Sequence, residues 1–246
     1  MEAKSIILFV IIVILLYVVV SYVIKDVNTL TELTDAKTQQ VIQPEDLATS
    51  ETSTSNFTYS IWFYIDDWNY KYGKAKIIFG RMAMDAVDVT KKNPCPVVSL
   101  GLVQNNIVIS QTVYPGLEED PAAEAKQSIV HKCGIDNVPI QKWVNLFISV
   151  YGRSMDIYLD GKLVRTCVLP GVAKISATAP IYITPMGGFS GFTSRFQYWP
   201  ESSDPQRAWD VYKKGYGGSL LGSLFGKYTI NISVMEGDEE IKSVTI

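Results

Sequence analysis

Residues 139–164 read PIQKWVNLFISVYGRSMDIYLDGKLV. Within this stretch Val144, Leu146, Ile148 and Val150 recur at every second position, the period of a strand that turns one face to a core. Gly152 and Arg153 then break the run. Residues 155–159 and 162–168 follow as two further β-type runs separated only by Asp160-Gly161. Asp-Gly supplies the two positive-φ positions that a type I′ turn requires, so the spacing predicts a tight hairpin.

The same grammar repeats on either side of this stretch. Residues 57–65 (FTYSIWFYI) are aromatic and β-branched, and residues 76–79 form a short apolar run. Residues 97–103 and 106–111 flank Gln104-Asn105, a second hairpin signal. Residues 181–184, 191–198 and 228–235 continue the series, and residues 241–246 can return as a partner strand after the turn at 236–240. The one convincing helix outside the N-terminal run spans residues 204–214, with Asp204 as N-cap, Pro205 at the first position and Gly215, Gly217 and Gly218 as its stop. Many strands, frequent turns and one short helix predict an all-β fold, an antiparallel sandwich or jelly roll.

The N-terminal part has a different composition. Residues 5–24 hold 18 apolar residues of 20, with no charge, glycine or proline. As a helix they span about 30 Å, the thickness of a bilayer hydrocarbon core. Lys4 and Lys25 bracket the run, and no small-x-small cleavage site follows it, so we expect a retained single-pass anchor rather than a removed signal peptide. Residues 26–55 are rich in Thr, Ser, Gln and acids and contain no aromatic residue. They read as a polar linker, with a short helix possible at 30–41, that would reach up to about 100 Å when extended. The expected layout is therefore an anchor at 1–25, a linker at 26–55 and a β domain at 56–246.

Across the 246 residues, 22 Lys and Arg stand against 25 Asp and Glu, a net charge of −3 with a single histidine. No basic face or tail is present, which argues against nucleic acid as a partner.

Three blocks together resemble the concanavalin A-like, laminin-G-type (LamG) jelly roll. The first is residues 57–65 with embedded Trp62. The second is residues 139–164, where Trp143, Tyr158, Asp160 and Gly161 match the family's Trp-strand and "YlDGk" hairpin. The third is residues 187–215, where a glycine-to-Phe-x-Tyr strand precedes the helix. An N-terminal anchor, a polar spacer and such a domain, together with Asn93-Pro94-Cys95-Pro96, resemble virion proteins of large DNA viruses that infect algae. The resemblance implies a minor capsid protein whose partners are the lipid bilayer and other capsid or membrane proteins, placed between an internal membrane and the capsid shell. Because the fold also hosts lectins and glycosidases, glycans are a further candidate partner.

Catalysis finds little support in the residues. A glycosidase of this fold needs two carboxylates at alternate positions of one strand face. Glu236, Asp238 and Glu240 alternate, but Gly237 interrupts them inside a turn; Glu118-Glu119-Asp120 runs into Pro121, which blocks a central strand. His131 reads as part of a polar loop, and no Cys-x-x-Cys spacing suggests zinc. We therefore expect no catalytic residue, metal or cofactor. Cys95 and Cys133 flank the long insertion at 111–130 and could pair in an oxidising compartment; three reduced thiols are the alternative. For sugar or calcium, the best local candidate is Asp66-Asp67-Trp68-Asn69, acids beside an aromatic at a strand end. The loop at 114–130 and the surroundings of Trp68 and Trp199 are candidate contact surfaces. The function expected is non-enzymatic and structural, with a membrane-anchored lectin as the alternative and a tethered glycosidase the weakest reading.

Overall fold

In chain order the strands are β1 (Thr34–Asp35), β2 (Gln40–Ile42), β3 (Phe57–Asp67), β4 (Lys76–Arg81), β5 (Val97–Leu100), β6 (Asn106–Val113) and β7 (Ile129–Asp136). They continue with β8 (Trp143–Tyr151), β9 (Ser154–Leu159), β10 (Lys162–Val168), β11 (Ile181–Ile183) and β12 (Ser190–Trp199), followed by helix α1 (Pro205–Lys214). Last come β13 (Asn231–Glu236) and β14 (Glu239–Thr245). This computed structural model describes residues 11–13, 15–16, 28–49, 55–82, 94–114 and 129–217, and the backbone of residues 231–236 and 239–245.

Two six-stranded sheets carry the body, ordered β1-β12-β3-β8-β9-β10 and β2-β11-β4-β5-β6-β7, and every pairing is antiparallel. The all-β sandwich expected from the strand spacing is what forms. Alternation sets its faces. In β3, Phe57, Tyr59, Ile61, Phe63 and Ile65 enter the core between the sheets, as do Val144, Leu146, Ile148 and Val150 of β8. The opposite face of the first sheet is roofed by α1, where Phe147, Tyr158 and Trp199 pack with Ala208 and Val211. Trp62 stacks on Tyr212 at a 5.7 Å centroid distance beneath the same helix.

The hairpin turn explains why α1 lies there. Asp160 and Gly161 both take positive φ (49° and 73°). Asp160 accepts from the Asn145 backbone N–H at 3.0 Å and from Lys142 Nζ at 3.1 Å, so its carboxylate ties the turn to β8. A Cβ on Gly161 would stand 2.9 Å from Trp209 Cε3 and 3.0 Å from Tyr212 Cβ. At the N-terminus of the helix, Asp204 accepts from Arg207 N–H at 2.8 Å as N-cap, and at its C-terminus Arg195 reaches the carbonyls of Lys214 and Gly215.

Two expectations are corrected. Residues 28–49 are not a free linker and form no helix at 30–41: β1 pairs with β12, β2 pairs with β11, and Ala36, Ile42 and Leu47 are buried in the core. A polar segment folds here because preformed sheet edges satisfy its backbone, so few apolar side chains are needed. The disulfide joins Cys133 to Cys167, not Cys133 to Cys95. Cys95 precedes β5 and Cys133 lies in β7, with β6 between them; two strand spacings are about 10 Å, beyond the roughly 7 Å that a disulfide spans. Cys133 and Cys167 sit on the edge strands of opposite sheets with Cα atoms 6.4 Å apart. The bond thereby staples one side of the sandwich, reinforced by Arg165 Nη1 donating to the Gly134 carbonyl at 2.6 Å. Cys95 is buried and its thiol is pushed up to about 11 by burial, with Lys174 and Arg81 opposing, so it stays protonated and unreactive.

By contact, residues 27–216 form one compact unit and residues 1–26 with 217–246 another. The second unit is described only in part: residues 11–13 and 15–16 are helical, and β13 pairs antiparallel with β14, the hairpin expected around residues 236–240. Most of the expected anchor, and residues 115–128 of the long insertion, lie outside the described residues. Among the described residues no helix is long and apolar enough to cross a membrane.

Closing a 34-residue separation contributes about 4 kcal/mol on loop entropy. We expect a Cys133→Ser, Cys167→Ser pair to lower Tm by roughly 10 °C, measured by calorimetry, and reductant to lower the wild-type Tm equally. Gly161→Ala should cost more than Gly152→Ala in urea titrations, because Gly152 has positive φ (57°) but nothing within 4 Å of its Cβ position.

Candidate functional site

The loops that follow β3 and β5 and precede β8 and β12 meet at one end of the sandwich. The residues anticipated there, Asp66, Asp67, Trp68 and Asn69, close β3 and open its loop. Asp66 and Asp67 are exposed, and Asp67 Oδ1 accepts from the Asn69 N–H at 2.9 Å, an Asx turn. Trp68 is half-buried and packs against the core. Its Nε1–H donates to the Val103 carbonyl at 3.3 Å, and Lys76 Nζ lies 4.1 Å from its ring centroid while donating to the Trp68 carbonyl at 3.0 Å. One ring face is thus taken by a cation and the ring edge by a carbonyl. Burial lowers the Lys76 pKa, with the Asp67 charge opposing. Among the described residues no three His, Cys, Asp or Glu side chains gather to hold a metal ion.

The same end is cross-tied by side chains that donate to distant backbone. Tyr70 OH donates to the Gly187 carbonyl at 3.1 Å and Lys71 Nζ to the Met186 carbonyl at 2.6 Å. Asn105 Nδ2 donates to the Val138 carbonyl at 2.7 Å, and the Gly73 N–H to the Leu102 carbonyl at 2.9 Å. The Gln141 N–H reaches the Ile65 carbonyl at 2.7 Å. Burial lowers the Lys71 pKa, and nearby Lys74 adds to the effect. On this fixed frame Tyr72, Leu102, Val103, Ile140 and Met186 remain 47–56% exposed. Loops held by so many long-range bonds have little ordering entropy left to lose on binding, and exposed apolar side chains on them suit a protein contact.

Sequence reasoning placed the acids and Trp68 at this end, but it missed Lys76, Met186 and the Leu102–Val103 pair. Residues 97–103 read as one strand; β5 stops at Leu100, and Gly101 starts the loop. A glycine followed by two apolar residues before a hairpin signal was the available clue. His131, read as a loop residue, lies in β7 opposite Gln111.

No protein-family model and no curated protein sequence matches the chain. Solved structures do. The botulinum neurotoxin serotype D binding domain is 12% identical with a TM-score of 0.53, over 77% of this chain and 45% of that one. Another structure, the receptor binding domain of botulinum neurotoxin D, is 12% identical with a TM-score of 0.52, over 74% and 43%. The chain spans less than half of these neighbours, and the likeness is one of fold: an antiparallel β-sandwich.

Trp68→Phe keeps the ring but removes the bond to Val103; we expect a loss of about 1 kcal/mol in chemical denaturation. Trp68→Ala should cost about 3 kcal/mol, because it also uncovers the core.

Proposed function

We propose that this chain is a membrane-anchored, non-enzymatic interaction module. Residues 5–24 hold it in a bilayer, and the cross-tied loop end of the sandwich presents its apolar residues to a protein neighbour. The observation that carries this reading is that end itself: five large apolar side chains kept half exposed on loops locked by hydrogen bonds. The anchor is supported by Ile11, Ile12, Val13, Leu15 and Leu16, which are helical and 48–64% exposed, apolar surface that water would penalise and lipid would not. The proposed domain type is the concanavalin A-like, LamG-type jelly roll. Its proposed setting is a virion, as a minor capsid protein tying an internal membrane to the capsid shell, on the resemblance of layout and motif described above.

Glycan binding is the second reading. Its support is a half-exposed aromatic row on the outer face of the first sheet: Tyr64 lies 5.8 Å from Trp143, which stacks 4.4 Å from Tyr216. Receptor binding by the neurotoxin domains is in keeping with either reading.

In the full chain in its native membrane, Leu102→Glu with Val103→Glu should leave Tm unchanged and sharply reduce cross-links from Lys71 and Lys74 to protein neighbours, read by mass spectrometry. Unchanged cross-links would remove the loop end as the contact. Glycan-array binding that survives this pair but is lost in Trp143→Ala would favour the second reading.

A further inference from the structure

We infer that Asn56 is an acceptor for an N-linked glycan, and that residues 27–216 face an oxidising compartment. The inference rests on the membrane-anchored reading above for the route into that compartment.

The cysteines point to the compartment. The chain has three, and none leaves an exposed thiol: Cys133 and Cys167 pair, and Cys95 is fully buried. The pair joins edge strands of opposite sheets with Cα atoms 6.4 Å apart, well within the reach of a disulfide. Structural disulfides persist where the surroundings oxidise thiols and are rare where thiols are kept reduced. Secretory compartments of the oxidising kind are also where Asn-x-Ser/Thr triplets receive glycans.

Asn56-Phe57-Thr58 is such a triplet, and its first residue has the geometry of an acceptor. Asn56 is half-buried at the entry to β3. Its Oδ1 accepts from the Gly152 N–H at 2.9 Å, which fixes the amide, and no described residue accepts from its Nδ2. The tie uses the oxygen alone, so a sugar on the nitrogen leaves it intact. Space is at hand: nothing lies within 4 Å of the Cβ position of Gly152, and Tyr151 beside it is 70% exposed. Asn56 stands at the start of β3, whereas Leu102 and Val103 belong to the loops beyond its far end, so a glycan here leaves the proposed protein contact uncovered.

Thr58 sets the timing. It is buried in the sheet, and its Oγ1–H donates to the Glu201 carbonyl at 2.7 Å. The hydroxyl that completes the motif is therefore available only before β3 takes its place, and transfer falls during synthesis. In that step Nδ2 attacks the anomeric carbon of an oligosaccharide carried on a lipid pyrophosphate. The N–C bond forms as the C–O bond to the pyrophosphate breaks. The lipid pyrophosphate leaves with the electron pair, and the amide gives up one proton to a base on the transferase.

The test translates the full chain in the presence of microsomes, with Asn56→Gln, Thr58→Val and Asn231→Gln as separate variants. The last removes the other triplet, Asn231-Ile232-Ser233, in β13. The readouts are gel mobility before and after an amidase that removes N-linked glycans, protection from added protease, and retention through an alkaline carbonate wash. We expect a protected chain carrying one glycan, lost in Asn56→Gln and in Thr58→Val and kept in Asn231→Gln. A protected chain without a glycan, or one that loses it only in Asn231→Gln, overturns the assignment of Asn56 and leaves the anchor standing. A chain retained on the membranes but digested by protease overturns the compartment and the glycan together. A chain that washes off overturns the membrane-anchored reading and the inference with it.

Discussion

A two-sheet sandwich holds only if its central strands are apolar on the side that faces the other sheet and covered on the side that does not. β3 meets both demands along most of its 11 residues. Its inward set, from Phe57 to Ile65, sits in an aromatic layer with Phe79, Phe196 and Tyr198, whose ring centroids lie 5.1–5.9 Å from their neighbours. Its outward set cannot face water, because Trp62 stands among buried Thr58 and Ser60, and α1 supplies the cover. The helix in turn needs Gly161 to approach the hairpin and Arg195 to hold its C-terminus. Removing the roof would expose the middle of the first sheet, so the small helix has a structural weight out of proportion to its length.

That dependence also explains which parts of the sequence could be read. The hairpin through Asp160-Gly161 and the helix from Asp204 to Gly215 were legible because their signals are local: two positive-φ residues, a cap, a proline and a stop. β7 was not legible. It is an edge strand with His131 and Lys132 half exposed, so its alternation is diluted by polar residues and it blends into the loop before it. β1 and β2 were hidden for the same reason, as two- and three-residue strands whose stability comes from the sheets they join. Cysteine pairing depends on which edges the topology brings face to face, and spacing along the chain carries no trace of that.

The candidate site divides along the same line. Asp66 to Asn69 were recognisable as a strand end, yet their local composition suggests an open sugar or calcium loop. What composition could not show is that Val103, 35 residues away, accepts from the Trp68 indole and that the buried Lys76 ammonium lies over its ring. A tryptophan engaged on one face and at its nitrogen is a structural pin more than a platform. The acids beside it are exposed, and so are Tyr72, Leu102, Val103, Ile140 and Met186 on the neighbouring loops.

Folding residues 28–49 onto the body replaces an expected leash with two strands of the sandwich. A free linker of 30 residues would span up to about 100 Å. With the chain fastened from Asn28, reach is set by strand length instead. β3 runs from the end where the chain enters to the cross-tied loops, and its 11 residues rise about 36 Å. A partner bound at those loops would then be held about one strand length from the end where the chain enters, by a rigid sandwich that the Cys133–Cys167 staple resists shearing. A rigid spacer loses little entropy when both ends are engaged, whereas a flexible one gives up much of its freedom at that moment. The polar composition that marks residues 26–55 as a tether belongs, over residues 28–49, to the edges of the sandwich itself, whose partner strands satisfy the backbone that so few apolar side chains could not bury.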